Sequence, residues 1–120
     1  MTDQPRKTLR LNMESPQDRD VQTMAILVRS IEARHCASWM YNHLKILAAP
    51  QILYRRNDNL YCDAVVIQHD GKAPREEKLG TFRLAGMTAV KSIARLALFW
   101  PHRDLANSRY GSILFVRDDE

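Results

Sequence analysis

Two tight-turn signals, Asn57-Asp58-Asn59 and Asp70-Gly71, cut the middle of this chain into short segments rich in β-branched and aromatic residues. Asn, Asp and Gly accept the left-handed backbone of a two-residue hairpin loop, so a chain punctuated this way is driven toward antiparallel pairing. The spacing predicts strands over 51–56 and 60–68 joined by the first turn. A third strand follows over 76–84, its start delayed by Pro74, which cannot donate to a ladder. Tyr110–Val116, with the apolar centre Ile-Leu-Phe-Val, predicts a last, interior strand. Near the N-terminus, Leu9, Leu11 and Met13 alternate with Thr8, Arg10 and Asn12, so residues 7–13 read as a half-buried strand.

Helical periodicity fills the remaining segments. Ser15-Pro16, followed by Asp18 and Asp20, is a helix start, with a cap, a proline at the first position and acids at the positive end of the dipole. Val21, Met24, Val28 and Ile31 make one stripe, and the run Met24-Ala25-Ile26-Leu27-Val28 is apolar all round. Such a run is buried by its own domain or by a partner chain, and a homodimer is the partner expected. The pattern predicts a break near Arg34–Cys36 and a second helix over Ala37–Leu47, with Trp39, Met40, Leu44 and Leu47 on its apolar face. Ala48-Ala49-Pro50 reads as a connector. Over 87–99, Met87, Val90, Ile93, Ala94 and Ala97 alternate at helical spacing with Thr88, Lys91, Ser92 and Arg95, and Pro101 ends the segment. The expected fold is α+β, in the order β-α-α-β-β-β-α-β with a largely antiparallel sheet. At 120 residues this is a single domain, 1–120. It divides into a strand-helix-helix part (7–48) and a sheet-plus-helix part (51–117).

Composition narrows the function classes. No apolar run approaches the ~18–20 residues that span a bilayer, so no membrane role is expected and the chain reads as cytoplasmic. Basic residues number 18 against 14 acids, a net charge of +4. The excess is spread, with seven basic and five acidic groups in 1–48 and eleven and nine in 49–120. Thirteen of the 18 are arginines, whose planar fork suits phosphate and carboxylate; a GC-rich genome would give the same bias. Cys36 and Cys62 stand alone, which fits free thiols in a reducing compartment, with a single disulfide as the alternative. Four dispersed glycines leave no phosphate-cradling loop, so no nucleotide cofactor is expected.

Catalytic and metal signals are weak. His35, Cys36, His43, Cys62 and His69 are metal-ligand types, but their spacing matches no zinc pattern, so no metal is expected. Asp63 and His69 would form an acid/base pair only if the fold happened to join them; otherwise they are an edge-strand and a turn residue. Arg55, Arg56, Arg75, Lys78 and Arg83 fall on the expected hairpins near Tyr54 and Tyr61. Basic side chains interleaved with aromatics on a sheet hold a sugar–phosphate chain and stack bases. The competing reading is a solvated face with cross-strand pairs to Asp58, Glu76 and Glu77.

The strand 7–13 with its outward Thr8, Arg10 and Asn12 and inward Leu9 and Leu11, followed by two expected helices, resembles the ribbon-helix-helix DNA-binding proteins. Glu32 to Leu44, with Ser38 and Trp39, is similar to that fold's turn and second helix, although His35 stands where the turn often has Gly. The resemblance covers residues 7–48. It implies that two chains pair their first strands and that the ribbon enters the major groove, with Arg10 and Asn12 on bases and Lys7 near the backbone. Residues 51–84 also resemble small bacterial ribonuclease toxins, which implies RNA contact through Arg55, Arg56 and Arg83 and an acid/base role for His69. The leading expectation is a small, non-enzymatic DNA-binding or regulatory homodimer. The alternative is a single α+β domain serving a protein partner or RNA, and a ribonuclease comes third.

Overall fold

A computed structural model describes residues 15–119. One helix, α1 (Pro16–Ala33), is followed by six strands: β1 (His35–Tyr41), β2 (Leu44–Arg56), β3 (Asn59–His69), β4 (Leu79–Arg83), β5 (Thr88–Leu96) and β6 (Ser112–Val116). They form one sheet in the order β4-β3-β2-β1-β5, with β6 also pairing β2, and every pairing is antiparallel. Among the described residues, no helix is long and apolar enough to cross a membrane.

The helix starts where its cap dictates. The Ser15 hydroxyl accepts the Asp18 N–H at 3.1 Å, and the Asp18 carboxylate accepts the Ser15 N–H at 3.4 Å, a reciprocal capping box ahead of Pro16. It stops at Arg34, whose left-handed backbone (φ 59°) turns its N–H back onto the Ile31 and Ser30 carbonyls. Three two-residue turns, Asn42-His43, Asn57-Asp58 and Asp70-Gly71, all hold positive φ, the geometry that matches the twist of a hairpin.

Strand β2 is the axis of the sheet. All but its first two residues run along β3, from Ile46 opposite His69 to Arg56 opposite Asn59. Its other edge is shared: Leu44–Ala48 pairs β1, and Ile52–Arg55 pairs β6. Pro50 falls in the gap between these two partners, where no ladder donor is needed on that edge. The register skips there, and Gln51 bulges with its side chain fully buried. Its carboxamide donates to the Leu98 carbonyl at 2.7 Å and accepts the Trp100 N–H at 3.0 Å, and its backbone carbonyl accepts the Arg117 N–H at 2.7 Å. Arg117, itself buried, donates to the Ala97 carbonyl at 2.8 Å. Together they hold the segment after β5 against the sheet. Gly111 (φ 56°) starts β6 so close to the Arg55 carbonyl that a Cβ there would collide with it.

Both faces of the sheet are covered. On one, Leu27 and Ile31 of α1 pack on Trp39, Ile46, Leu53, Cys62 and Phe82. On the other, Cys36, Ala49 and Val65 pack beneath Ala97 and Trp100, and Ile52 and Tyr54 pack beneath Tyr110. Within the apolar run of α1, Leu27 is fully buried and Met24 and Val28 pack on the same core, while Ala25 is exposed.

The expected elements are corrected in four places. Ala37–Leu47 is the β1–β2 hairpin, not a helix; Asn42-His43 is its turn, and Trp39 and Leu47 point to opposite faces. Residues 87–99 form strand β5. Apolar residues three apart describe one side of a helix, but in a strand they alternate between faces. Val90 packs on the helix side and Ile93 on the far side, both covered. The last strand is not interior: β6 lies along one half of β2, with Ile113 and Leu114 exposed. Ala48-Ala49-Pro50 belongs to β2 rather than to a connector. The strand expected at 7–13 lies outside the described residues.

Trp39 is almost wholly buried, edge-on to Phe82 at 5.1 Å, and its indole N–H finds no partner among the described residues. Trp39→Ala is therefore expected to destabilise by ~3–5 kcal/mol. Trp39→Phe, which also removes the unsatisfied donor, should cost much less. Urea denaturation of the two variants checks the difference.

Candidate nucleic-acid interface

The far face is organised at one end by a single buried acid. Asp63, in the middle of β3, has no exposed surface, and a desolvated carboxylate persists only if paired and fully hydrogen-bonded. Its ladder neighbours are Ile52 in β2 and Thr81 in β4. Tyr54 and Thr81 each donate a hydroxyl to Asp63 Oδ1 at 2.9 Å, and Arg109 Nη1 donates to Oδ2 at 2.8 Å. The guanidinium also donates to the Tyr110 hydroxyl at 3.0 Å and to Thr81 Oγ1 at 2.7 Å. Arg109 thus fastens the turn Ser108–Tyr110 to three strands. Burial, then the hydrogen bond to Asp63, pushes the Tyr54 hydroxyl well above the ordinary tyrosine value. Tyr110 moves the same way, first through burial.

Above this cluster lies a basic and aromatic surface. Tyr61 pairs with Tyr54 on one side and Arg83 on the other, and Arg56 pairs with Asn59, which places these side chains on the same face. The Tyr54 and Tyr61 rings stack with centroids 5.5 Å apart and planes 20° from parallel. Arg83 Nη2 donates to Asn59 Oδ1 at 2.7 Å. Arg109 lies over the Tyr110 ring at 4.8 Å and keeps 35% of its side chain exposed, while Asp63 beneath it has none. No carboxylate among the described residues pairs with Arg56 or Arg83. Two guanidiniums without a carboxylate partner, a third half-neutralised from below and a half-exposed tyrosine ring can hold phosphates and stack a planar base. Asp63 has both oxygens committed to hydrogen bonds.

The structure gathers some of the expected residues and separates others. Arg56, Arg83, Tyr54 and Tyr61 come together. Arg55 does not: its ladder partner Leu60 packs with the helix-side core, so Arg55 points to the other face. Arg75 and Lys78 lie in the irregular segment before β4. Asp63 is an interior residue rather than an edge one, because β4 covers β3. His69 is exposed at the end of β3, opposite Ile46, and does not meet Asp63. Asp58, Glu76 and Glu77 form none of the ion pairs among the described residues. Lys7, Thr8, Arg10 and Asn12 lie outside the described residues. Cys36 and Cys62 are free and buried in cores on opposite faces. Among the described residues, no three His, Cys, Asp or Glu side chains are grouped to hold a metal. Arg109 and Thr81 escape sequence reasoning, because nothing local marks a loop arginine as the partner of an acid 46 positions away. Comparison of the chain with protein-family models, with curated proteins and with solved structures finds no match.

Asp63→Ala leaves Tyr54, Thr81 and Arg109 without their acceptor and is expected to destabilise by ~3–5 kcal/mol, read from urea denaturation at neutral pH. The tyrosine shifts also set an alkaline limit. A raised folded-state pKa means that the folded chain holds its proton where the unfolded chain has released it. Stability is therefore fully present below the ordinary tyrosine pKa of 10.0 and falls as pH rises above it. Denaturation midpoints should fall above about pH 10, and less steeply in Tyr54→Phe.

Proposed function

We propose that this chain is a non-enzymatic nucleic-acid-binding protein that lays a single strand across the end of its helix-free sheet face. The observation that carries this reading is the convergence of Arg56, Arg83 and Arg109 around Tyr61 on one surface. The three guanidiniums are spaced over three elements, which suits successive phosphates better than one small anion. The half-exposed Tyr61 ring favours an unpaired base, since bases in a duplex are already stacked on one another. The net charge of +4 adds long-range attraction to the same partner.

Binding of a short fluorescent oligouridylate, followed by anisotropy at several salt concentrations, tests this. The wild type should bind with an affinity that falls as salt rises. Arg56→Ala and Arg83→Ala should each lower the logarithmic salt slope by about 0.7, the value for one lost phosphate contact on a single strand. Tyr61→Ala should weaken binding by ~1–3 kcal/mol with the slope unchanged. Arg55→Ala, on the opposite face, should do little. Absence of salt-sensitive binding by the wild type sinks the proposal. Preference for duplex DNA that survives Arg56→Ala/Arg83→Ala and is lost with Arg10→Ala would instead favour the ribbon reading of residues 7–13.

A further inference from the structure

The opposite end of the same sheet face carries a cavity of about 240 Å³, lined by Ser38, Lys45, Leu47, Gln68, Gly71 and Ile93. Ser38, Leu47 and Gln68 form its floor, and Lys91 extends their row beside it on β5. Lys91 pairs with Ser38, Ser38 with Leu47, and Leu47 with Gln68. Ladder partners share a face, so the four side chains rise on the same side. Lys45 and Ile93 lie two residues along β2 and β5 from members of that row and therefore join it. Leu47 and Ile93 supply apolar surface, Ser38 and Gln68 supply hydrogen-bonding groups, and Lys45 and Lys91 bring positive charge.

The polar groups are uncommitted. Ser38 is only 7% exposed, yet neither its hydroxyl nor the Gln68 carboxamide has a hydrogen-bond partner among the described residues. Neither lysine forms an ion pair among them. Asp70 is the acid at this end, and it is tied to the β2 backbone: its Oδ1 accepts the Lys45 N–H at 2.8 Å, and its N–H donates to the Lys45 carbonyl at 2.8 Å. Ser38 is buried and Gln68 half-buried, so what remains of their polar surface opens into the cavity. Here they face a space larger than the ~150 Å³ that accepts a benzene molecule. At Gly71 nothing crowds the position a Cβ would take, so the mouth is clear.

We propose that this cavity binds a small organic anion: a compact apolar body, such as a single ring, carrying one carboxylate or phosphate group. The ring lies on Leu47 and Ile93, the anionic head is held by Lys45 and Lys91, and Ser38 and Gln68 hydrogen-bond to it. A concave, mostly apolar site with a few convergent polar groups is the usual form of a small-ligand pocket. It lies roughly 30 Å along β2 from Arg56 at ~3.3 Å per residue, so it stands independently of the nucleic-acid reading.

Phenylacetate is the test ligand, with phenyl phosphate and 2-phenylethylamine beside it, followed by amide chemical shifts of the full chain. Phenylacetate or phenyl phosphate should give saturable shifts concentrated at Ser38, Leu47, Gln68 and Ile93. The stronger of the two identifies the head group. The amine should give none. Lys45→Met should weaken binding of the anion at least tenfold, and Ser38→Ala should weaken it less, with the buried Trp39 indole signal unchanged in both as proof of folding. No saturable shift with either anion, equal shifts with the amine, undiminished binding by folded Lys45→Met, or shifts centred on Tyr61 and Arg83 would each overturn the proposal.

Discussion

The length of β2 is the constraint on which the other elements depend. A strand long enough to pair β3 throughout has room on its second edge for two partners in succession, and β1 and β6 divide it at Pro50. A proline in a central strand ordinarily loses a ladder bond; here it stands where one neighbour has ended and the next has not begun. The bulge at Gln51 then turns a carboxamide inward, where it takes up backbone groups from the segment that follows β5. The segment after β5 is thereby fastened to the chain's centre by hydrogen bonds beside the apolar contacts of Ala97, Trp100 and Tyr110, whereas α1 meets the sheet through Leu27 and Ile31.

That asymmetry decides where binding chemistry resides. The helix side is an aliphatic and aromatic core in which, among the described residues, no charge is buried. The far side is covered by a loop, and loops bring polar groups. Arg109 reaches Asp63 from there, and the pairing leaves the outer side of the guanidinium in solvent beside Arg56 and Arg83. Asp63 thus works as an anchor: it fixes the angle of Arg109 and, through Tyr54, the plane on which Tyr61 stacks.

The sequence discloses its local signals faithfully and its long-range ones poorly. The Ser15-Pro16-Asp18 cap starts the helix at the expected residue, and Asn57-Asp58 and Asp70-Gly71 turn where Asn, Asp and Gly tolerate positive φ. Periodicity misleads at 37–47 because β1 is buried on both faces: a strand covered on both sides has no polar side to set its period at two, and chance spacings of three and four then look helical. At 87–99 the reason differs: β5 is a largely exposed edge strand, and its two half-buried apolar residues, Val90 and Ile93, pack on opposite faces at a spacing that also fits one side of a helix. Asn42-His43 was the available turn signal, weakened by the histidine at its second position. For the site, the tyrosine and arginine pattern on β2, β3 and β4 is legible from alternation, given the correct hairpin. That Arg55 and Arg56 part to opposite faces follows from the same rule.

The two cysteines stand in this architecture as independent clocks. Cys36 lies beneath Ala97 and Trp100 on the loop-covered face, and Cys62 lies beneath the helix on the other. Burial pushes both thiols above their ordinary pKa, so neither offers the reactive thiolate while its cover is in place. The rate at which a thiol reagent modifies Cys36 therefore times the lifting of the 97–101 segment, and the rate at Cys62 times the departure of α1 or opening of the whole sheet. A chain whose two coverings are held differently, hydrogen bonds beside apolar contacts on one side and apolar packing on the other, carries within itself a separate timer for each.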